Sequence, residues 1–366
     1  MNLKIAVDCY EVAEHSTGVG RVIDNILTSL IDILPECNFH VLTREKMRTY
    51  SGNNVKQYDI PSRGGYFRWQ NGPFLKKLKE IKPNLLIASN YTLPFFNRWK
   101  SILFEYDISF ASHPEWFSSR EAKMRKYLVK RSLRGSTLVV TGSEFSRNEI
   151  IRIFNTEPGK IKVLYYGVDD KFQRSSEDKI VEWKEKKGLK NKKVIGFLGS
   201  IFNRRNLPLL VESVNLLRKE LPEIVLYVIG KDHTRPSQNV TQLLSKDWIR
   251  WETYIRDAEL PLFYSSIDAF AYLSEYEGFG LPPLEALSCG TISVLRNKTS
   301  LGEIYQDIAV MVDEAEAHSV QEALITAIKD ERKKEAVLKR FQEKKHLFSW
   351  EKTAHELSLV VKNLIA

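Results

Sequence analysis

Two carboxylates, Glu277 and Glu285, stand eight positions apart in the string EGFGLPPLEALSCG from Glu277 to Gly290. Between them lie a Gly-Phe-Gly turn and two adjacent prolines. Carboxylates accept hydrogen bonds from sugar and ribose hydroxyls, and glycine amides allow a diphosphate to approach the backbone closely. Pro282 or Pro283 should open a helix that stops near Gly290, and its start would add unpaired N–H groups and the positive end of a dipole. The run Asp268 to Leu273, DAFAYL, reads as a short buried strand ahead of it. Glu277 then falls in the strand-to-helix loop and Glu285 in the first helical turn. Each feature alone is ordinary: a glutamate in a first turn suits the dipole, and Gly-x-Gly is often only a turn. The combination is specific, and the ligand that needs all of it is a sugar nucleotide.

The charge that develops on a departing diphosphate must be met by a metal or by fixed cations and amides. No Asp-x-Asp motif is found, whereas Arg204 and Arg205 follow an apolar run ending near Leu198 and precede a helical pattern from Leu207. An arginine offers phosphate a two-pronged donor, and losing one such cation should cost about 3 kcal/mol of barrier stabilisation. Near the start, Gly18 and Gly20 are placed in the loop after the opening strand. Ile23 occupies the third position of a GxGxxG pattern, so that motif is incomplete.

The Glu277–Glu285 spacing resembles the Glu-x7-Glu signature of the retaining glycosyltransferases of family 4. The similarity runs along nearly the whole chain: Thr17-Gly18-Val19-Gly20-Arg21, HPEWF from His113, GSEFSR from Gly142, KIKVLYYGVD from Lys160, Arg204 to Leu207, and FSWEKTA from Phe348. Several of these look like the mannosyl- and rhamnosyl-transferring branch. The resemblance implies an α/β chain of the GT-B type, with two doubly wound, Rossmann-like domains facing across a cleft. It implies catalytic roles for Arg205, Glu277 and Asp107. Donor contacts are implied for Gly18, Gly20, Arg204, Tyr254, Ile255, Gly278, Phe279, Gly280, Leu281 and Glu285. Glu285 would hold the ribose, and Tyr254-Ile255 would meet the base where relatives have Gly-Tyr-Val. The loop of Gly18 and Gly20 would close over the donor. Tyr106-Asp107 replaces the usual His-Asp, and tyrosine, with an unperturbed pKa near ~10, is a poor general base.

The resulting expectation is metal-independent transfer of a hexose, mannose or rhamnose favoured, from a GDP-, UDP- or dTDP-linked donor. The acceptor would be a glycan or lipid-linked hydroxyl, and no cofactor or metal is expected. Transfer of glucose, galactose or an N-acetylhexosamine by the same machinery stays open, as does a non-catalytic nucleotide-sugar-binding scaffold.

Composition fits this reading. A chain of 366 residues exceeds one core, and 43% hydrophobic with 28% charged residues is ordinary for a globular protein. No run of about 18 apolar residues could span a bilayer, and MNLKIAVDCY is a poor signal peptide. Cys9, Cys37 and Cys289 form no metal or disulfide pattern, which favours a cytoplasmic chain. The net charge of +9 calls for an anionic partner. No nucleic-acid module is present. From Arg120 to Arg134 seven Lys or Arg stand against one Glu, with Met124, Tyr127, Leu128 and Leu133 at near-helical spacing. Such a helix either hides one stripe in a core or lies on an anionic membrane face. Tyr66-Phe67-Arg68-Trp69 and Trp99-Lys100 add weight to peripheral contact with the inner face of a membrane.

Alternating apolar runs and amphipathic segments predict parallel sheets covered by helices. Strands are expected at residues 4–7, 39–42, 85–88, 102–106, 138–141 and 161–165, then at 194–198, 225–229, 269–273, 292–295 and 310–312. Helices are expected at 19–33, 74–81, 121–133, 146–154, 207–220, 259–264, 283–288 and 320–328. The charged stretch from Asp169 to Glu185 reads as a linker. The domains are accordingly 1–172 on the acceptor side, 173–345 on the nucleotide-sugar side, and a tail, 346–366, implied to cross back to the first.

Overall fold

The computed structural model describes residues 3–12, 18–45, 49–61 and 64–365. The chain divides into two compact units: residues 1–167 with 347–366, and residues 168–346.

Unit 1 runs β1 (Leu3–Asp8), α1 (Gly18–Ile33), β2 (Cys37–Thr43), β3 (Val55–Asp59), α2 (Tyr66–Trp69), α3 (Leu75–Ile81), β4 (Leu85–Ala88), β5 (Lys100–Phe104), α4 (Ser109–Ser112), α5 (Ser119–Gly135), β6 (Leu138–Thr141), α6 (Glu144–Phe154) and β7 (Ile161–Val163). Its seven strands lie in the order β3-β2-β1-β4-β5-β6-β7, with the pairs parallel. Central strands such as LLIA in β4 are buried on both faces, which is why they read as unbroken apolar runs. Helix α1 buries Val22, Ile23, Ile26, Leu27, Leu30 and Ile31, one stripe at helical spacing. Trp69 and Phe74 fill the core beside Leu86 and Leu103, and the Trp69 indole N–H donates to the Ile60 carbonyl at 2.9 Å.

Unit 2 runs α7 (Glu177–Lys186), β8 (Lys193–Leu198), α8 (Leu207–Leu217), β9 (Ile224–Ile229), α9 (Val240–Leu243), β10 (Ile249–Glu252), α10 (Leu260–Ser266), β11 (Ala269–Tyr272), α11 (Leu281–Ser288), β12 (Ser293–Arg296), α12 (Thr299–Tyr305), β13 (Val310–Val312), α13 (Ala317–Lys329) and α14 (Glu331–Lys344). Its parallel sheet has the order β10-β9-β8-β11-β12-β13. The last helix, α15 (Trp350–Ile365), belongs to unit 1 and packs on α1. Trp350, Ala354, Leu357 and Val361 form its buried stripe. A Cβ on Gly167 would sit 2.3 Å from the Trp350 nitrogen, so only glycine lets this helix seat.

Several elements depart from the sequence expectation. Strands β3 and β10 are edge strands whose half-exposed faces carry polar residues, so VKQYD and IRWE lack an apolar run. The expected linker contains α7, which needs only Ile180 and Trp183 to anchor it. Gly18 and Gly20 open α1 rather than lying in a loop, because the apolar spacing extends the helix back to them. Thr17 lies outside the described residues. Helix α11 starts at Leu281, before the proline pair, which puts Glu285 in its second turn.

Candidate functional site

In both sheets the strand order reverses beside the first strand of the unit, β1 in one and β8 in the other. Ligands of open α/β sheets bind beyond the carboxyl ends of the strands at such a reversal. In unit 2 the reversal lies between β8 and β11, and the loops that leave these two strands carry Arg204, Arg205 and Glu277.

Arg205 ends a tight turn at Asn203–Arg205, and its side chain is 12% exposed. The guanidinium donates from Nη1 to the Leu198 carbonyl at 3.3 Å, lies 4.9 Å from the centre of the Tyr272 ring, and stands 3.6 Å from Glu277 Oε1. Burial works against its charge, but Tyr272 and Glu277 outweigh it and raise its pKa. Its buried Nε has no hydrogen-bond partner among the described residues, nor has that of Arg204. Gly199 makes this placement feasible: its φ is +125°, and a Cβ there would lie 2.0 Å from Arg205 Nη1. Arg204 lies over the Phe202 ring at 4.6 Å, and its carbonyl accepts from the Glu275 amide at 2.8 Å.

Glu277 is held from three sides. Its Oε1 accepts the Ser274 hydroxyl at 2.8 Å, its amide donates to Thr299 Oγ1 at 3.3 Å, and its carbonyl accepts from Ser300 at 2.8 Å. The following turn, Gly278 to Gly280, is buried and leads into α11 at Leu281. Gly280 has φ +95°, and a Cβ would meet Leu301 at 2.7 Å. The Gly280 carbonyl accepts the hydroxyl of buried Tyr305. Glu285 is 4% exposed and accepts from the Tyr264 hydroxyl at 2.8 Å. Tyr254 and Ile255 follow the edge strand β10, two strands from β8, and Tyr254 is 47% exposed rather than a core aromatic.

The corresponding edge of unit 1 is acidic. Asp8 ends β1, fully buried; its carboxylate accepts from Tyr66 at 2.6 Å and from the Tyr10 amide at 3.0 Å, and its carbonyl accepts from Ser89 after β4. Burial pushes its carboxyl up to about 7 and nearby Glu11 adds to this, against the lowering effect of those two hydrogen bonds. Beyond β5, Glu105 is fully buried with neither carboxyl oxygen hydrogen-bonded among the described residues, and desolvation, then Asp107, drives its pKa well up. Asp107 accepts from the Ser109 amide at 3.0 Å and hydroxyl at 2.7 Å, which anchors α4. Tyr106 is buried with its hydroxyl unpartnered among the described residues. His113 pairs with Glu115 at 3.0 Å and stacks on Trp116.

The structure thus brings Arg205 and Glu277 together, with Gly278 to Leu281 and Glu285 continuing from the same loop into α11. Gly18, Gly20 and Asp107 belong to unit 1. Tyr272, Ser274, Thr299, Tyr264 and Tyr305 were not singled out from sequence. Tyr272 ends a strand that reads only as core, and Tyr264 reaches Glu285 from 21 residues away. Glu105 did leave a signal, a lone acid closing the apolar run SILF.

A family model described as Glycosyltransferase Family 4 matches residues 16–172, and one described as Glycosyl transferases group 1 matches residues 179–345. O-antigen chain mannosyltransferase B of Escherichia coli is 28% identical over 278 residues, 75% of this chain and 73% of its own. Sucrose-phosphate synthase from Thermosynechococcus elongatus superposes with a TM-score of 0.78 at 15% identity, covering 99% of both chains. Anabaena HepE, in complex with UDP-glucose, gives a TM-score of 0.75 at 16% identity over 99% of this chain and 100% of its own.

Proposed function

Because the chain belongs to the glycosyltransferases of family 4 and has the GT-B fold, we propose that it moves a mannosyl or rhamnosyl group from a nucleotide sugar to an acceptor hydroxyl, with retention and without a metal. The observation that carries this is the Arg205 guanidinium, held at the strand-order reversal against Glu277 and Tyr272 with its Nε still unpartnered among the described residues. A fixed cation of this kind neutralises charge as it develops on a leaving diphosphate. Arg204 adds a second donor, and α11 directs its N-terminal end towards the same loop. In this reading Glu277 and the Gly278–Leu281 backbone hold the sugar and its phosphate, Glu285 the ribose, and Tyr254 with Ile255 the base.

The anomeric C–O bond to the β-phosphate breaks, and the new C–O bond to the acceptor forms on the same face of the sugar. The acceptor hydroxyl proton passes to the departing phosphate oxygen, so no protein base is required. That suits a chain with Tyr106 in place of a histidine. Asp107, on the unit 1 side, orients the acceptor rather than taking the proton. Similarity to an O-antigen chain mannosyltransferase supports mannose as the transferred sugar; the acceptor in this reading is a lipid-linked glycan.

The test is a thermal-shift panel of GDP, UDP, dTDP and their sugars, followed by transfer from whichever donor binds. Stabilisation by a nucleoside diphosphate that Arg205→Ala abolishes is expected. A protein that no nucleoside diphosphate or nucleotide sugar stabilises sinks the reading, and stabilisation by UDP-glucose alone moves it to a glucosyl donor.

A further inference from the structure

Unit 1 has an apolar and cationic surface that the transfer chemistry does not use. Six of the eight large hydrophobic side chains exposed among the described residues belong to unit 1, and apart from Leu359 on α15 they are Phe67, Phe95, Phe96, Met124 and Tyr127. Met124 and Tyr127 do not form part of a buried stripe of α5; that helix buries Ala122, Val129, Ser132 and Leu133 instead. Met124, Tyr127 and Arg131 follow one another on one helix face at i, i+3 and i+7. Arg131 joins this face to the segment between β4 and β5. Its guanidinium lies over the Phe95 ring at 4.3 Å and donates to the carbonyls of Leu93, Pro94 and Phe95. The Phe67 ring meets Phe95 edge-on at 5.6 Å. Trp69 and Trp99, by contrast, pack in or against the core.

The segment is braced. The Leu93 amide donates to Ser132 Oγ at 2.9 Å and the Phe95 amide to Asn71 Oδ1 at 2.7 Å. Phe96, 69% exposed, and Tyr127, 63% exposed, are therefore presented outward on a rigid support. Around them Arg68, Lys123, Lys126 and Lys130 are exposed and make no ion pair among the described residues.

We propose that this face docks on an anionic lipid bilayer. Phe95, Phe96, Met124 and Tyr127 enter the headgroup layer, and the α5 lysines meet lipid phosphates. The inference rests on the lipid-linked-acceptor reading for its purpose, though not for its evidence. Charge complementarity selects the occupant, since α5 carries seven Lys or Arg against one Glu. Two copies pairing through this face would set like charges against each other, and a bilayer rich in acidic lipid relieves them.

The test is co-sedimentation of the whole chain with vesicles of phosphatidylglycerol and phosphatidylcholine, or of phosphatidylcholine alone. Binding is expected only to the acidic vesicles, and it should weaken as salt rises. Each lysine reversed among Lys123→Glu, Lys126→Glu and Lys130→Glu should lower the partition coefficient about fivefold or more. Phe95→Ser with Phe96→Ser should lower it about tenfold or more, with Tyr127→Ser as an independent surface change in the same direction. Equal partition of the parent to both vesicle types, or variants that bind like the parent, overturns the proposal. So does a dimer in solution that Phe95→Ser with Phe96→Ser splits, since a second copy then occupies the face. Donor turnover, followed without vesicles, should be the same in all of these variants. A chain that turns over no nucleotide sugar yet binds the acidic vesicles defeats the transferase reading and leaves this surface standing.

Discussion

The two units have the same strand order around their first strand, yet the point of reversal carries a base in one and an acid in the other. In unit 2 it holds Arg205, with its charge reinforced by Tyr272 and Glu277. In unit 1 it holds Asp8, buried and pushed up to about 7, with Glu105 buried two strands away. The same strand order thus sets a buried guanidinium after the first strand of one unit and a buried carboxyl at the end of the first strand of the other. What distinguishes the halves chemically is the few residues that follow each strand.

The strongest way to break this comparison is Arg205→Ala. It should lower kcat between about 100- and 1000-fold in a transfer assay, and Arg205→Lys should recover only part, because lysine cannot form the fork. A loss within twofold would mean the cation is structural. Next, Glu285→Ala should raise the donor KM by about 10- to 100-fold with a smaller change in kcat; an unchanged KM would place the ribose elsewhere. Gly199→Ala should cost about tenfold in kcat, because its Cβ would lie 2.0 Å from Arg205 Nη1 and push the guanidinium away. Should Gly199→Ala turn over like the parent, the guanidinium does not need that seat.

The smallest effect tests unit 1. Asp8 binds its proton more tightly folded than unfolded, where a carboxyl titrates near ~3.9. Its contribution therefore favours the fold at acid pH and is lost as pH rises from about 4 to about 7. Over that window the melting temperature of the parent should fall relative to Asp8→Asn by about 5 °C. Parallel melting curves would remove the electrostatic half of the contrast.

How much of this was legible depended on sequence distance. Glu277, the Gly278–Gly280 turn and Glu285 are local neighbours, so their string could be read directly, as could Arg204-Arg205 between a strand and a helix. Thr299 and Tyr264 reach the same place from other helices, and nothing in their own neighbourhood marks them; Tyr272 is near Glu277 in sequence but ends β11, a strand that reads only as core. Edge strands β3 and β10 escaped because half of each faces outward and carries polar residues. On α5 Met124 and Tyr127 point outward while Ala122, Val129, Ser132 and Leu133 are buried, a choice of face that spacing alone cannot detect. Four buried residues seat the helix, which leaves Met124 and Tyr127 for another surface.

Helix α15 makes unit 1 discontinuous in the chain, whereas unit 2 is a single uninterrupted stretch. A growing polypeptide can therefore finish its downstream half first, while the upstream half waits with α1 uncovered until residues 347–365 emerge. A fragment ending at Gly167 would be stranded at that same incomplete stage.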